Sequence, residues 1–259
     1  MFIDTHCHLN DDRYNNVDAV VKSYLHDGVS VVINMGCEYS SSEFGKNLAE
    51  KYDSVYFAAG YHPSDEKSFN KQNLEKIALL ASHDKCVAIG EIGLDYHWEP
   101  YDKSRQIDCF LSQIELASSL KLPVSIHSRD ATFDMLNLLK ENKSKLVHGA
   151  VMHCYSGSVE TARELLNLGI YISFAGPVTF KNAGKLIDVA KFVPADMILT
   201  ETDSPYLAPH PLRGSVNEPK NVSIVTAFLA GLKGEDLQDF SSKIMTNARV
   251  LFKKLNKTK

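Results

Sequence analysis

The chain has 259 residues, of which 44% are hydrophobic and 23% are charged, and its formal net charge is −4. This composition is typical of a globular protein with enough apolar material for a core. The negative charge gives no general attraction for nucleic acid, so a polyanionic substrate would have to be held by local cations or metal ions.

The sequence also indicates where the protein works. No apolar run approaches the roughly 20 residues that cross a bilayer, and the first residues lack the basic segment of a secretory signal. The five cysteines are odd in number and contain no Cys-x-x-Cys pair. This distribution argues against a disulfide framework and favours a reducing compartment. We therefore expect a cytoplasmic protein without membrane association and without an obligatory protein partner.

Short apolar runs alternate with helical stretches along the chain. In chain order, the predicted strands are residues 2–8, 29–34, 55–59, 86–89, 124–126, 149–152, 171–174 and 198–200. The predicted helices are residues 17–26, 41–52, 74–82, 103–120, 132–141, 159–167, 185–191, 222–232 and 237–255. The near-continuous apolar character of the strands predicts a parallel sheet that is covered on both faces.

About eight strand–helix cycles decide the fold class. A doubly wound open sheet has the same alternation, but eight cycles in this length match a closed (β/α)8 TIM barrel, an α/β fold. No linker rich in Gly, Ser or Pro divides the chain, so we predict one domain over residues 1–259. A long loop over residues 204–220 follows the last strand, and a loop of that length in a compact domain is usually functional.

Histidines and carboxylates occur near the carboxyl ends of these strands, where a barrel carries its reactive groups. His6 and His8 alternate along the first strand and therefore project to the same face, with Asp4 placed to orient one of the imidazoles. Each such residue alone has an ordinary explanation, such as a hydrogen bond in a loop or a turn. Together, four imidazoles and two carboxylates form a ligand set for divalent metal ions: His6, His8, Glu91, His127, His153 and Asp203. This set exceeds what one catalytic ion takes from a protein, so two ions fit better, with Glu91 as the bridge.

Several segments resemble those of the TatD-type metal-dependent deoxyribonucleases, a family of (β/α)8 barrels within the amidohydrolase superfamily. The segments are DTHCHL, GYHP, GEIGLDYH, HSRDA, HCYSG, ETDSPYLAP and RGSVNEP. They span nearly the whole chain in the family's order and spacing, and no ligand position departs from the family pattern.

The resemblance implies a site and an activity. Its ligand set places one ion on His6, His8, Glu91 and Asp203, and the second on His127 and His153 with Glu91 bridging. The implied activity is metal-dependent hydrolysis of DNA, typically the removal of nucleotides from 3′ ends, with single-stranded DNA or 3′ ends as the substrate. The resemblance does not identify the native metal ions, because Mg, Mn and Zn all suit these ligands.

Further residues receive roles in this interpretation. Bound divalent cations would lower the pKa of a water molecule and stabilise charge on the phosphate. Asp203 is the predicted general base, and Glu91 is the second catalytic carboxylate. His62, Arg129 and Arg213 are expected to bind phosphate. Glu201 and Asp4 are expected to orient metal-binding histidines without binding the ions themselves.

Other functions fit parts of the same pattern. A binuclear site also hydrolyses amides, lactones or carboxylic esters, so a small molecule or an aminoacyl ester is an alternative substrate. A metal-binding scaffold without catalysis is disfavoured by the intact Asp203 and Glu91. A nucleic-acid-binding module is disfavoured by the acidic charge. Three aromatic residues near the predicted mouth either stack on a base or pack internally: Tyr61, Tyr96 and Trp98.

Overall fold

In a computed structural model that describes residues 1–256, eight parallel strands lie side by side in chain order, from β1 to β8. The strands are β1 Phe2–Cys7, β2 Val29–Met35, β3 Val55–Ala59, β4 Cys86–Asp95, β5 Val124–Arg129, β6 Ala150–Met152, β7 Tyr171–Phe174 and β8 Ile198–Thr200. The helices are α1 Val17–His26, α2 Tyr39–Lys51, α3 Lys71–Ala81, α4 Lys103–Leu120, α5 Thr132–Glu141, α6 Val159–Asn167, α7 Gly184–Phe192, α8 Val222–Lys233 and α9 Leu237–Leu251. Over the described part of the chain, none of these helices has the length and apolarity of a membrane span.

The sheet curls until its first and last strands meet. Beyond the end of β8, the Asp203 amide donates to the carbonyl of His6 at 2.9 Å, and the His8 amide donates to the carbonyl of Ser204 at 2.7 Å. Helices alternate with the strands and cover the outer surface, and β3 and β4 are buried at every residue. The predicted (β/α)8 barrel is therefore confirmed.

Helix ends follow signals in the sequence. The Asn16 side chain accepts a hydrogen bond from the Ala19 amide and begins α1, and Gly28, at φ +82°, follows its end. The last helix is shorter than predicted, because α9 ends at Leu251 and the chain continues as a 3₁₀ turn over Lys253–Asn256.

Strands β4 and β5 extend further than predicted. The expected ends at residues 89 and 126 are wrong, because the two strands stay paired through Gly93 with His127 and Asp95 with Arg129. Gly93 has φ +154°, and a Cβ there would lie 1.9 Å from the carbonyl oxygen of His127. Glycine thus permits a close approach of the strands, although in the sequence it suggests a loop. As a consequence, Glu91 and His127 lie within strands and not beyond them.

Candidate metal centre

The six predicted ligands converge at the carboxyl end of the barrel, and all of them except the buried His6 line a cavity of about 600 Å³. They come from five strands or the segments directly after them: His6 from β1 and His8 just after it, Glu91 from β4, His127 from β5, His153 after β6 and Asp203 after β8. Parallel strands of a barrel end at the same face, so residues far apart in sequence are brought together here.

One group of ligand atoms surrounds the Nε2 atoms of His6 and His8, which lie 3.2 Å apart. Oε2 of Glu91 lies 3.3 Å from Nε2 of His6 and 3.6 Å from Nε2 of His8. Oδ1 of Asp203 lies 3.7 and 3.4 Å from the same two atoms. These four side chains can therefore share one cation.

A second group surrounds the other oxygen of Glu91. Its Oε1 lies 2.8 Å from Nδ1 of His127 and 2.7 Å from Nε2 of His153. The two nitrogens lie 3.2 Å apart. The carboxylate of Glu91 therefore faces one histidine pair with each oxygen, which is the arrangement that a bridging ligand requires.

Carboxylates behind the second histidine pair fix the imidazole tautomers. Nε2 of His127 lies 3.0 Å from Oδ2 of Asp95, and Nδ1 of His153 lies 3.2 Å from Oε1 of Glu201. Donation of these N–H protons to the carboxylates leaves the opposite nitrogens with lone pairs that face Glu91. Two lone pairs and a carboxylate oxygen this close repel one another unless a proton or a metal cation lies among them. Without a metal ion, burial opposes protonation of His153, but Glu91 raises its pKa well above the usual value, so a proton offsets the repulsion. The residues present thus fit a divalent metal ion.

The carboxylates of the centre are kept ionised by the histidines. Burial alone would raise the pKa of Glu91, but the neighbouring His153 and His6 lower it well below its usual range. Burial likewise opposes ionisation of Asp203, yet a hydrogen bond from His8 and the nearby His6 lower its pKa. Negative charge is therefore concentrated where cations would bind.

Asp4 does not orient an imidazole side chain, so this expectation is corrected. Its Oδ1 accepts hydrogen bonds from the backbone amides of Thr202, at 2.9 Å, and His6, at 3.3 Å, and its Oδ2 accepts from the Thr202 hydroxyl at 2.5 Å. Nδ1 of His6 is buried and has no hydrogen-bond partner. Asp4 therefore joins β1 to the segment after β8 and positions the ligands through the backbone.

His62 lies beside the second ligand group. Its Nδ1 accepts a hydrogen bond from the Ser64 amide at 3.1 Å, and its Nε2 lies 3.7 Å from Oε1 of Glu91. Burial lowers the pKa of His62 to about 3, so the ring is neutral near pH 7. The proton of the neutral ring is therefore on Nε2, and His62 is a hydrogen-bond donor toward the cavity.

The two predicted arginines lie in different places. Arg129 lines the cavity together with the ligands, and its guanidinium carbon lies 5.2 Å from the centre of the Trp98 ring. Arg213 is exposed and lies over the Phe180 ring at 4.6 Å, and it lines neither this cavity nor the adjoining one. The structure thus places only Arg129 beside the ligands.

Asp95 and Tyr206 lie at the centre but were not proposed as site residues from the sequence. Asp95, which orients His127, lies four positions after Glu91 on β4, and residues four apart on a strand share a face. That spacing was an available signal, but the strand was predicted to end before both residues. Tyr206, at the edge of the cavity, contacts Asp11 and Arg13 nearly two hundred positions earlier, and no sequence spacing reveals this contact.

Comparison with known proteins identifies the family. The model for TatD-related DNases matches residues 3–253. The chain is 42% identical over 254 residues to the uncharacterized metal-dependent hydrolase YabD of Bacillus subtilis, over 98% of this chain and 99% of the relative. It is 35% identical over 240 residues to the 3′-5′ ssDNA/RNA exonuclease TatD of Citrobacter koseri, over 91% of this chain and 92% of the relative.

A solved structure leads to the same family. The crystal structure of YjjV, a TatD homolog from Escherichia coli K12, superposes with a TM-score of 0.92 at 30% identity, over 97% of this chain and 98% of that one. The resemblance seen in the sequence motifs is thereby confirmed, and the chain belongs to the TatD-related DNase family of metal-dependent hydrolases.

Proposed function

We propose that this protein is a binuclear metal-dependent nuclease that removes nucleotides from the 3′ end of single-stranded DNA. The observation that carries this proposal is the position of Glu91, with Oε2 toward His6 and His8 and Oε1 toward His127 and His153. Such a carboxylate suits two ions better than one. The polarity and the substrate class are supported by the relative in Citrobacter koseri that is named a 3′-5′ ssDNA/RNA exonuclease.

Asp203 is the best-placed general base. When bound, the two ions would lower the pKa of a water molecule and neutralise charge on the phosphate oxygens. The Asp203 side chain is 15% exposed, whereas that of Glu91 is 4% exposed. Asp203 also lines both the cavity of the ligands and an adjoining cavity of about 300 Å³. Its carboxylate can therefore take a proton from a water molecule in the cavity, while Glu91 is confined between the histidines.

Phosphate would be held by Arg129 and His62. Arg129 offers a planar guanidinium group at the cavity wall, which can pair with two phosphate oxygens. His62 offers the Nε2–H group on the side of Glu91. Neither group carries a negative charge, and both donate hydrogen bonds that a phosphate can accept. The carboxylates around them would be occupied by the metal ions.

The setting of the activity is part of the same proposal. We propose that residues 1–259 act as one catalytic domain in the cytoplasm, with nucleic acid as the partner. All five cysteines are free in the structure, which suits a reducing compartment. All eight strands belong to one sheet, which suits one domain.

Metal-free protein supplied with one metal at a time, and with single-stranded DNA labelled at the 5′ or the 3′ end, tests this proposal. We expect products that shorten by one nucleotide at a time from the 3′ end. Asp203→Asn should lower the rate by about 10²- to 10⁴-fold, because it removes the base and also weakens one metal ligand. Asp108→Asn, on the exposed face of α4, serves as the control and should cleave like the wild type. Hydrolysis of amides or carboxylic esters without cleavage of DNA under any metal would contradict the proposal.

A further inference from the structure

Two aromatic side chains at the edge of the metal-ligand cavity are exposed. The Trp98 side chain, in the segment between β4 and α4, is 63% exposed, and Tyr206, between β8 and α8, is 46% exposed. Both line the cavity that contains Glu91 and Asp203. The neighbouring aromatic residues differ, because Tyr61 is buried and Tyr96 stacks on Tyr101 with ring centres 4.9 Å apart. Trp98 and Tyr206 thus present exposed ring surface at the cavity.

The barrel places these two rings on opposite sides of its mouth. Eight strands follow one another in chain order around the barrel, so β4 and β8 lie half a turn apart. Trp98 follows β4, and Tyr206 follows β8. The ligand groups lie between them, since Glu91 is on β4 and His8 and Asp203 are on the side of Tyr206.

Each ring is held in place and is accompanied by an arginine. The His97 ring contacts Trp98 edge-on, with centres 4.7 Å apart, and Nδ1 of His97 lies 2.9 Å from Oδ2 of Asp130. The guanidinium carbon of Arg129 lies 5.2 Å from the centre of the Trp98 ring. Trp98 therefore combines a flat apolar surface with a nearby cation.

Tyr206 has a similar environment. Arg13 lies over its ring at 4.0 Å, and the Tyr206 hydroxyl donates to Oδ2 of Asp11 at 3.1 Å. Two hydrogen bonds of 2.7 Å from Arg13 to the same carboxylate hold the guanidinium group in place. The Tyr206 ring also lies nearly perpendicular to the His8 ring, with centres 6.1 Å apart. Tyr206 is therefore a neighbour of His8, which belongs to the first ligand group.

We propose that Trp98 and Tyr206 are two stacking platforms that hold bases of a single-stranded nucleic acid on either side of the phosphate that is cleaved. The inference rests on the proposed function and adds to it the residues that select unpaired bases. Stacking on an exposed ring requires a base that is not already stacked within a duplex. The platforms therefore favour a single strand, and they tolerate any base because every base has a flat face.

Trp98 is the only tryptophan of the chain, so intrinsic fluorescence reports on one platform directly. The Mg²⁺-loaded protein is titrated with a short phosphorothioate oligodeoxyadenylate, which resists cleavage, and with an abasic oligomer of the same length and charge. We expect the adenine oligomer to quench the fluorescence and to bind about 100-fold more tightly than the abasic oligomer, because each of the two platforms contributes about 10-fold. Equal binding of the two oligomers, without quenching, would overturn the proposal.

Variants distinguish rings that stack on bases from rings that only pack within the protein. Their affinity is measured by fluorescence anisotropy of a labelled oligomer. Trp98→Ala and Tyr206→Ala should each weaken binding of the adenine oligomer by about 10-fold and change binding of the abasic oligomer little. Trp98→Phe and Tyr206→Phe keep a ring and should bind nearly as tightly as the wild type. Leu79→Ala, at an exposed position on α3, is the control and should bind like the wild type. Alanine variants that keep the preference for bases would eliminate both platforms.

Failure of the platforms can be distinguished from failure of the proposed function. Hydrolysis of bis(p-nitrophenyl) phosphate by the wild-type protein reports phosphodiester chemistry without any base. A wild-type protein that cleaves this diester but binds both oligomers equally has the proposed chemistry without the platforms. A protein that binds adenine tightly and quenches fluorescence but cleaves neither DNA nor the diester has the platforms without the proposed chemistry.

Discussion

Carboxyl groups around the cavity, buried at Glu91 and half-buried at Asp65, differ in their pKa because their neighbours differ. Glu91 is surrounded by imidazoles, and its pKa lies well below the usual range in spite of burial. Asp65 lines the same cavity but has acidic neighbours. Burial, together with the charges of Glu38 and Glu66, raises the pKa of Asp65 to about 6. The first environment stabilises a negative charge, and the second penalises one.

Replacement of Asp65 by asparagine should therefore stabilise the metal-free protein in a pH-dependent way. The folded-state pKa of about 6 lies above the usual value of 3.8, so ionisation of Asp65 costs stability as the pH rises through this window. Asp65→Asn should raise the free energy of unfolding by about 1 kcal/mol near pH 7.5, after a reduction for partial exposure, and by little near pH 4. Urea unfolding at the two pH values measures this difference.

Asp108→Asn is the matched control for Asp65→Asn, since Asp108 is exposed on α4. Its free energy of unfolding should stay close to that of the wild type at both pH values. If Asp65→Asn raises the free energy of unfolding by the same amount near pH 4 and near pH 7.5, the charge of Asp65 is not the cause.

At the level of elements, the pairing of β4 with β5 sets the geometry of the second ligand group. β4 carries Glu91 and Asp95, and both contact His127 on β5, with distances of 2.8 and 3.0 Å. Gly93 lies between these carboxylates and opposite His127 in the register. The close approach at Gly93 thus lets one imidazole reach both carboxylates.

Gly93→Ala should disrupt this pairing. Its Cβ would lie 1.9 Å from the His127 carbonyl oxygen, and φ of +154° is unfavourable for alanine. We expect a loss of about 3 kcal/mol in the free energy of unfolding, measured by urea denaturation. Gly231→Ala, at an exposed helical position with open space around it, should instead gain about 0.5–1 kcal/mol. Equal stability of Gly93→Ala and the wild type would contradict this account of the strand pair.

The sequence predicted the alternation of elements well, because short apolar runs and helix caps are local signals. All eight strands and nine helices within residues 1–256 were predicted near their observed positions, whereas β4 and β5 were predicted to end too early. Gly93 causes the error on β4, since only the contact with β5 reveals that the glycine belongs to a strand. Local patterns do not contain such contacts between strands.

The candidate site was predictable to a similar degree. The six ligand residues could be proposed because each falls near a strand end and matches a family motif. The hydrogen bond from His127 to Asp95 could not be predicted from the sequence, because it depends on the register of two strands. Asp4 was placed on the correct strand, but its hydrogen bonds to Thr202 depend on how β1 meets the segment after β8. The single-domain boundary and the roles of the ligands stay predictions.

For the whole molecule, the barrel concentrates negative charge at one end of a chain that is itself acidic, with a net charge of −4. Glu91, Asp95, Asp203, Asp65 and Asp11 all line one cavity. A polyanion would be repelled from this cavity unless cations occupy it. Binding of a polyanionic substrate in this cavity would therefore depend on the metal ions.

Anomalous scattering from crystals loaded with Mn²⁺ tests the central claim most directly, because it locates the ions without reference to any substrate. We expect two peaks on either side of the Glu91 carboxylate, about 3.5–4 Å apart. One should lie among His6, His8 and Asp203, and the other between His127 and His153. A single peak, or a second peak away from His127 and His153, would contradict a binuclear centre bridged by Glu91.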